Sequence, residues 1–344
     1  MGRPIRVLVV EDSAFMRRAL ARRIELDSRF CVIDTAQDGR EGVEKALRLQ
    51  PDVVTLDVEM PVLNGLDALR AIVARSTIPV VMLSAATEEG AKTTLEALSI
   101  GAIDFIPKAK NALLIHETLL AAVQAKSARP RLPAPPSPGQ AAAQTFRTPP
   151  RMPVLRRSDM RILIIGSSTG GPQALQRLIG ALPANLPVPV VVAQHMPAQF
   201  TAALAGHLDE VSPLKVSEAK DGDPLVPGRV LIAPGGMHIR VSEKAVIISP
   251  DRGESMYRPS VGVLAKSVLG VFHRHALGVM LTGMGNDGGP EFLLMKKAGA
   301  QILTQDQASS VVWGMPRAVA ESGAADEILP LDEMAGRIRH LLGC

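Results

Sequence analysis

Two rhythms alternate along this chain. Short uninterrupted apolar runs, such as VLVV at 7–10 and ILII at 162–165, give way to longer stretches whose apolar residues recur every three or four positions. The first rhythm is that of a strand covered on both faces, the second that of a helix with one buried face. Before residue 127 the runs predict strands at Ile5–Val10, Cys31–Thr35, Val53–Leu56, Val80–Leu83 and Asp104–Ile106. Helices are predicted near Ala14–Glu25, Arg40–Leu49, Gly65–Ala74, Thr87–Leu98 and Leu113–Lys126. After residue 158 strands are predicted at Ile162–Ile165, Val188–Ala193, Val230–Ala233, Val246–Ser249, Ala276–Leu281 and Gln301–Thr304. The helices that accompany them cover Pro172–Leu182, Gln199–Glu210, Ser260–Arg274, Gly288–Lys297, Pro316–Glu321 and Leu331–Leu342.

This alternation predicts an α/β protein with two doubly wound, mostly parallel sheets, the first flavodoxin-like and the second a Rossmann-like three-layer domain. Residues 127–158 break the pattern: eight prolines stand there among small residues and arginines. Such a composition cannot bury a core and reads as a flexible, Pro/Arg-rich linker. The expected units are therefore 1–126, the linker 127–158, and 159–344. Open parallel sheets bind ligands outside the carboxyl ends of their strands, so polar residues directly after strands are the ones to weigh.

Composition narrows the function classes. A length of 344 residues suits two domains, and 47% hydrophobic residues suffice for two cores. Aromatics at 3% leave no stacking platform for single-stranded nucleic acid. The net charge of +4 is small, and much of the basic excess is local, in Arg129, Arg131, Arg147, Arg151, Arg156 and Arg157. A solvated segment explains it, and no basic recognition helix is visible, so no nucleic-acid partner is expected. Two cysteines, Cys31 and Cys344, give neither a disulfide framework nor a metal motif. The apolar start meets charge within a few residues, which predicts a cytoplasmic protein without membrane insertion.

In the first half, Glu11 and Asp12 follow the first strand, Asp57 the third, Ser84 the fourth, and Lys108 lies just past the fifth. Three converging carboxylates repel unless a cation sits among them, and oxygen ligands of this hardness suit Mg²⁺. A lysine and a hydroxyl beside them can hold a phosphoryl group carried by a carboxylate. Asp12 and Ser13 could instead be helix caps. The segments VLVVEDS, VVTLDVEMPVLNGLDALR, VVMLSA and GAIDFIPK resemble the receiver domain of response regulators over about residues 3–126. The resemblance implies that Asp57 accepts the phosphoryl group and that Glu11 and Asp12 hold Mg²⁺ with Asp57 and the carbonyl of Glu59. It also implies that Ser84 and Lys108 bind the phosphoryl group and that Phe105 is the switch aromatic. Ala109 stands where such domains usually carry proline, which predicts a trans bond with a shifted loop or a strained one.

In the second half, Gly166-Ser167-Ser168-Thr169-Gly170 fits the G-x-S-x-G pattern of a nucleophile elbow at a strand's end. A serine needs a base and an acid that orients the base. Among seven histidines, His195 follows the strand next in sequence, with His238 in reserve; His273 and His275 flank the wrong end of a strand. Asp287 sits in the glycine-rich turn LTGMGNDGG, whose backbone N–H groups can face an anion. The same turn could be a plain glycine turn with Asn286 or Asp287 capping the next helix. The order Ser168, His195, Asp287 differs from that of α/β-hydrolases.

The segments GSSTGGPQAL, VVVAQHMP, RVLIAPGGMH, RPSVGVL, LTGMGNDGG and VVWGMPRAV resemble the catalytic domain of the bacterial chemotaxis protein-glutamate methylesterase (CheB) family, from about Arg161 onward. That resemblance implies Ser168 as nucleophile, His195 as general base and Asp287 as orienting acid. Thr169 and the N–H of Met284 would line the oxyanion site. Tyr257, ahead of Arg258, Pro259 and Ser260, stands where some relatives carry histidine. The implied activity is hydrolysis of glutamate γ-methyl esters on methyl-accepting chemoreceptors, with glutamine deamidation at the same site and no cofactor beyond Mg²⁺ in the receiver. The implied partners are those receptors and a chemotaxis-type histidine kinase, the protein being peripheral to receptor arrays. Phosphorylation of Asp57 would relieve inhibition by the receiver. A DNA-binding output protein, a scaffold with a relic serine site, and an esterase serving a receptor outside chemotaxis are the competing readings.

Overall fold

The computed structural model describes residues 3–85, 87–108, 112–128, 159–251 and 255–344. Residues 129–158 of the expected linker and the bond from Lys108 to Ala109 lie outside the described residues.

The first domain has strands β1 (Ile5–Val10), β2 (Phe30–Ala36), β3 (Val53–Asp57), β4 (Val80–Ser84) and β5 (Asp104–Pro107). They form one sheet in the order β2-β1-β3-β4-β5, and every pairing is parallel. That is the flavodoxin-like order expected. Helices α1 (Ala14–Ile24), α2 (Gly39–Leu49), α3 (Gly65–Arg75), α4 (Glu88–Ile100) and α5 (Ala112–Ala128) cover its faces. The last of these takes the first two residues assigned to the linker. Side chains open the helices: Asp38 accepts from the Glu41 N–H, Asn64 from Asp67 and Thr87 from Gly90. Helix α1 is capped by Ser13, whose hydroxyl accepts from the Met16 N–H. Asp12 is therefore free of capping duty.

The second domain is built on β6 (Ile162–Ser167), β7 (Val190–Gln194), β8 (Lys215–Glu218), β9 (Arg229–Ile232), β10 (His238–Val241), β11 (Val246–Ser249), β12 (Ala276–Met280), β13 (Gln301–Gln305) and β14 (Glu327–Leu329). Seven of them form an all-parallel sheet in the order β14-β13-β12-β6-β7-β9-β8. Helices α6 (Gly171–Gly180), α7 (Ala198–Val211), α8 (Val261–Phe272), α9 (Gly289–Lys297), α10 (Met315–Glu321) and α11 (Leu331–Leu342) complete the layers. Two points differ from the sequence reading. Strands β8, β10 and β14 were not expected, and Val246–Ser249 is not in the main sheet but pairs antiparallel with β10.

The chain leaves β6 toward β7 on one side and returns to β12 on the other, so the sheet has its switch point beside β6. Ligand sites in open α/β sheets lie outside the strand ends at such a point. One buried apolar cluster runs through both domains, from Leu56, Leu95 and Phe105 to Phe200 and Leu204. The domains are thus packed on each other rather than merely tethered.

Candidate active site and receiver pocket

Three strand ends meet at the switch point and are tied by backbone bonds. The Ser168 N–H donates to Thr282 O at 3.0 Å, His195 N–H to Ser167 O at 3.0 Å, and Leu281 N–H to Gly166 O at 2.9 Å. This fixes Ser168, His195 and the loop after β12 side by side. The turn after β6 differs from a strained elbow. Its left-handed residue is Gly170, at φ +75°, and Ser168 is not among the residues of positive φ. Gly166 is required by packing instead, since a Cβ there would come within 2.5 Å of Val261 Cγ1.

His195 Nε2 and Asp287 Oδ2 lie 2.8 Å apart, nearly buried. Asp287 does not cap α9, which starts after Gly288 without a side-chain cap. Its carboxylate turns back to the N-terminus of α8 instead. There it accepts from Ser260 Oγ at 2.8 Å, Val261 N–H at 2.7 Å and Gly262 N–H at 3.2 Å. Burial pushes the Asp287 carboxyl up, but the bonds from His195, Ser260 and Val261 outweigh it and hold it below its ordinary value. His195 Nδ1 is buried and has no hydrogen-bond partner among the described residues. With Nε2 engaged by Asp287, Nδ1 is the nitrogen left to take a proton.

Ser168, Thr169, His195 and Met284 line one cavity of about 670 Å³. Among the described residues the Met284 N–H has no partner, so it can serve an anion in that cavity. His238, the reserve candidate, is elsewhere: it opens β10, and its ring is fully buried with neither nitrogen hydrogen-bonded among the described residues. His275 Nδ1 lies 2.7 Å from Asp159 O at the far end of the sheet.

At the carboxyl edge of the first sheet, Glu11, Asp12 and Asp57 bring carboxylate oxygens within 4.8 Å of one another. Glu11 and Asp57 are each 1% exposed. Lys108 Nζ lies 2.7 Å from Asp57 Oδ2 and 3.2 Å from Glu11 Oε2. Burial raises both carboxyls above their ordinary values, the Asp57 charge adds to the effect on Glu11, and Lys108 offsets part of it. Burial alone would lower the Lys108 ammonium, but its bonds to Asp57 and Glu11 carry it above the usual value. Three hard oxygen donors that close, two of them destabilised as anions, fit Mg²⁺. The Glu59 N–H donates to Asp57, and the Glu59 carboxylate is not in the cluster. Ser84 Oγ donates to Ala85 O at 3.1 Å and Gly90 O at 3.3 Å, and it accepts from Thr94 Oγ1 at 2.6 Å.

The family model for the CheB methylesterase matches residues 163–338, and the response regulator receiver domain model matches residues 7–120. Protein-glutamate methylesterase/protein-glutamine glutaminase of Symbiobacterium thermophilum is 45% identical over 99% of this chain and 98% of its own length. The Vibrio cholerae protein-glutamate methylesterase/protein-glutamine glutaminase 1 is 41% identical over 97% and 98%. Among solved structures, the Thermotoga maritima CheB methylesterase catalytic domain is 38% identical, covers 53% of this chain and 98% of its own, and gives a TM-score of 0.52. This chain belongs to the CheB methylesterase family.

In this CheB-family chain the receiver lies directly over the serine cavity. Asp104, Phe105, Pro107, Glu117 and Thr118 from the receiver share the cavity wall with Ser168 and His195. Phe105 meets Phe200 of α7 with ring centroids 4.3 Å apart. Gln173 Nε2, in the first turn of α6, donates to Ala102 O at 2.8 Å and also to Leu98 O at the end of α4. The Asp104 carboxyl reaches the hydroxyl of Thr169, and burial at this seam pushes it up to about 6 against the hydrogen bonds of Phe105 and Thr169.

The sequence reading missed the supports beneath the site. Ser167 Oγ donates to Gln194 Oε1 at 2.6 Å, and Gln194 Nε2 donates to Ser168 O at 2.9 Å. Ser260, placed by the sequence at the start of a helix, is the N-cap of α8 and in addition holds Asp287. Among the described residues no helix is long and apolar enough to cross a membrane.

Proposed function

We propose that this chain is a receiver-controlled protein-glutamate methylesterase acting on methyl-accepting chemoreceptors, with Ser168 as nucleophile. The observation that carries the reading is the His195–Asp287 pair beside Ser168 in a cavity walled by the receiver. Ser168 Oγ attacks the γ-ester carbonyl while His195 Nδ1 takes its proton. Asp287, held by Ser260 and the first N–H groups of α8, fixes the Nε2–H tautomer and stabilises the imidazolium. The Met284 N–H and Thr169 face the oxyanion, and losing one such donor typically costs about 10²–10³ in turnover. His195 protonates the departing methanol, leaving a glutamyl ester on Ser168. Water, deprotonated by His195, then releases the carboxylate and restores the serine. A glutamine side chain at the same site gives ammonia instead of methanol.

Control comes from the receiver. A histidine kinase of the chemotaxis type supplies the phosphoryl group to Asp57, and Ser84 and Lys108 bind its oxygens. Glu11, Asp12 and Asp57, with the Glu59 carbonyl, are the residues to hold Mg²⁺, which when bound neutralises the cluster and the phosphoryl oxygens. Reorientation of Ser84 and Phe105 then weakens the seam over Ser168, an equilibrium that a few kcal/mol suffices to shift. The working units are 1–126 and 159–344, joined by 127–158, in a cytoplasmic protein peripheral to receptor arrays.

The test is methanol release from methylated receptor membranes by wild type, Ser168→Ala and Asp57→Asn, each with and without acetyl phosphate and Mg²⁺. Wild type is expected to respond to the phosphodonor, Asp57→Asn to stay at the basal rate, and Ser168→Ala to release none. Methanol release by Ser168→Ala would overturn the nucleophile, and an unresponsive wild type would overturn the control.

A further inference from the structure

Tyr257 lies flat against His195, with ring centroids 4.4 Å apart and planes 2° from parallel. We infer that Tyr257 is a positioning residue for the general base, holding the imidazole in plane. This rests on the reading of His195 as that base. A single anchor at Nε2, the 2.8 Å contact with Asp287, leaves the ring free to tilt about the line from Cβ to that contact. A flat partner on its face removes the tilt, because offset stacking is geometrically selective. Nδ1 is buried without a partner among the described residues, so no second hydrogen bond fixes the plane of the ring.

The phenol packs close to the loop after β12. Its hydroxyl oxygen lies over Gly285, where a Cβ would come within 3.1 Å of it, and Gly285 has φ +86°. Tyr257 thus spans from the general base to the loop that carries the Met284 N–H, and both residues share the cavity wall with Ser168. The ring also favours the step that charges His195. An imidazolium against a π face is stabilised relative to the neutral ring, and that charge exists only after the serine proton has moved. The tyrosine remains 41% exposed, so its stack against His195 is not a consequence of full burial in a core.

The experiment uses the full chain, activated with acetyl phosphate and Mg²⁺, and follows methanol release from methylated receptor membranes. Tyr257→Leu is expected to lower kcat by about 10- to 100-fold with KM little changed, the usual scale for a misplaced catalytic group. Tyr257→Phe, which keeps the ring, is expected to stay within about threefold of wild type. Tyr257→His, with a smaller flat ring, is expected to recover most of the loss seen in the leucine variant. Thermal unfolding of each variant separates poor folding from poor positioning, and the phenylalanine and histidine rescues stand even if the leucine variant is unstable. A leucine variant as active as wild type, a loss in KM alone, or a phenylalanine variant as impaired as leucine would overturn the inference. Ser168→Ala in parallel keeps the two readings apart: if it is inactive while Tyr257→Leu is normal, the positioning role fails and the nucleophile stands.

Discussion

Asp104 offers the sharpest handle on the seam between the domains. It places a carboxyl beside Thr169 in the serine cavity, and burial pushes that carboxyl from 3.8 to about 6. At about 1.4 kcal/mol per tenfold change in proton affinity, that rise means that the charged form costs the docked state about 3 kcal/mol. This is an upper bound, because part of the burial comes from the receiver itself. An asparagine carries no such cost and can still meet the Thr169 hydroxyl. Asp104→Asn should therefore tighten docking by up to roughly a hundredfold at pH 7.5 and lower the unphosphorylated rate accordingly. The pH dependence has a definite sign. An acid whose value is raised on docking binds more protons docked than undocked, so docking strengthens as pH falls from about 6 toward 3.8 and is flat above about 6. The assay is methanol release between pH 5 and 8, with the basal rate divided by the phosphodonor-activated rate at each pH. This ratio cancels the pH dependence of the chemistry common to both states, and comparing wild type with Asp104→Asn isolates Asp104 from the other groups lining the cavity, Glu117 and Arg258. For wild type the ratio should fall below pH 6; for Asp104→Asn it should be low and level. A higher basal rate in Asp104→Asn, or a wild-type ratio that rises on acidification, would refute the reasoning.

Three further outcomes follow from named contacts. Asp287→Asn should cut kcat by about 10³–10⁴ with the fold intact, since the amide favours the wrong tautomer of His195; receptor demethylation and circular dichroism check it. Ser260→Ala removes both the cap of α8 and a donor to Asp287, and should cost about 1 kcal/mol in denaturant unfolding while lowering kcat by up to about tenfold. Thr94→Val removes the 2.6 Å bond to Ser84, the shortest of the three contacts that hold that hydroxyl away from Asp57. It should lower the acetyl phosphate concentration needed for half-maximal activation; an unchanged or higher requirement would contradict the linkage.

How much of this is legible in the sequence differs from element to element. Strands buried on both faces, such as Val53–Asp57 and Ile162–Ser167, announce themselves because their apolar residues stand nearly side by side, with polar ones mainly at the carboxyl end. The three that escaped have no such run. Strand β8 reads KVSE with only Val216 buried, β10 opens on a histidine and carries Arg240, and β14 is three residues long at the sheet's edge. Strand ends also predicted where polar groups would converge, which is why Ser168, His195 and Asp287 could be named. Which ring nitrogen Asp287 would take could not be, because that depends on the angle at which α8 presents Ser260 and Val261. The ambiguity over the LTGMGNDGG turn had the same origin: capping α9 and serving His195 ask for the same residue, and only the direction of the carboxylate separates them. The seam is least legible of all. Phe105 stands out through the receiver resemblance, but its contact with Phe200 does not, and Gln173 and Asp104 are ordinary residues until the two sheets are docked and one meets a carbonyl, the other a threonine.

The central claim is that Ser168 is a nucleophile shielded by the receiver. Its most direct measurement is the rate at which a fluorophosphonate modifies the full chain, with the modified residue mapped by peptide mass spectrometry. The account predicts modification at Ser168 alone, at least several-fold faster with acetyl phosphate and Mg²⁺ than without, and no phosphodonor effect in Asp57→Asn. Modification at another residue, or equal rates with and without the phosphodonor, would contradict it.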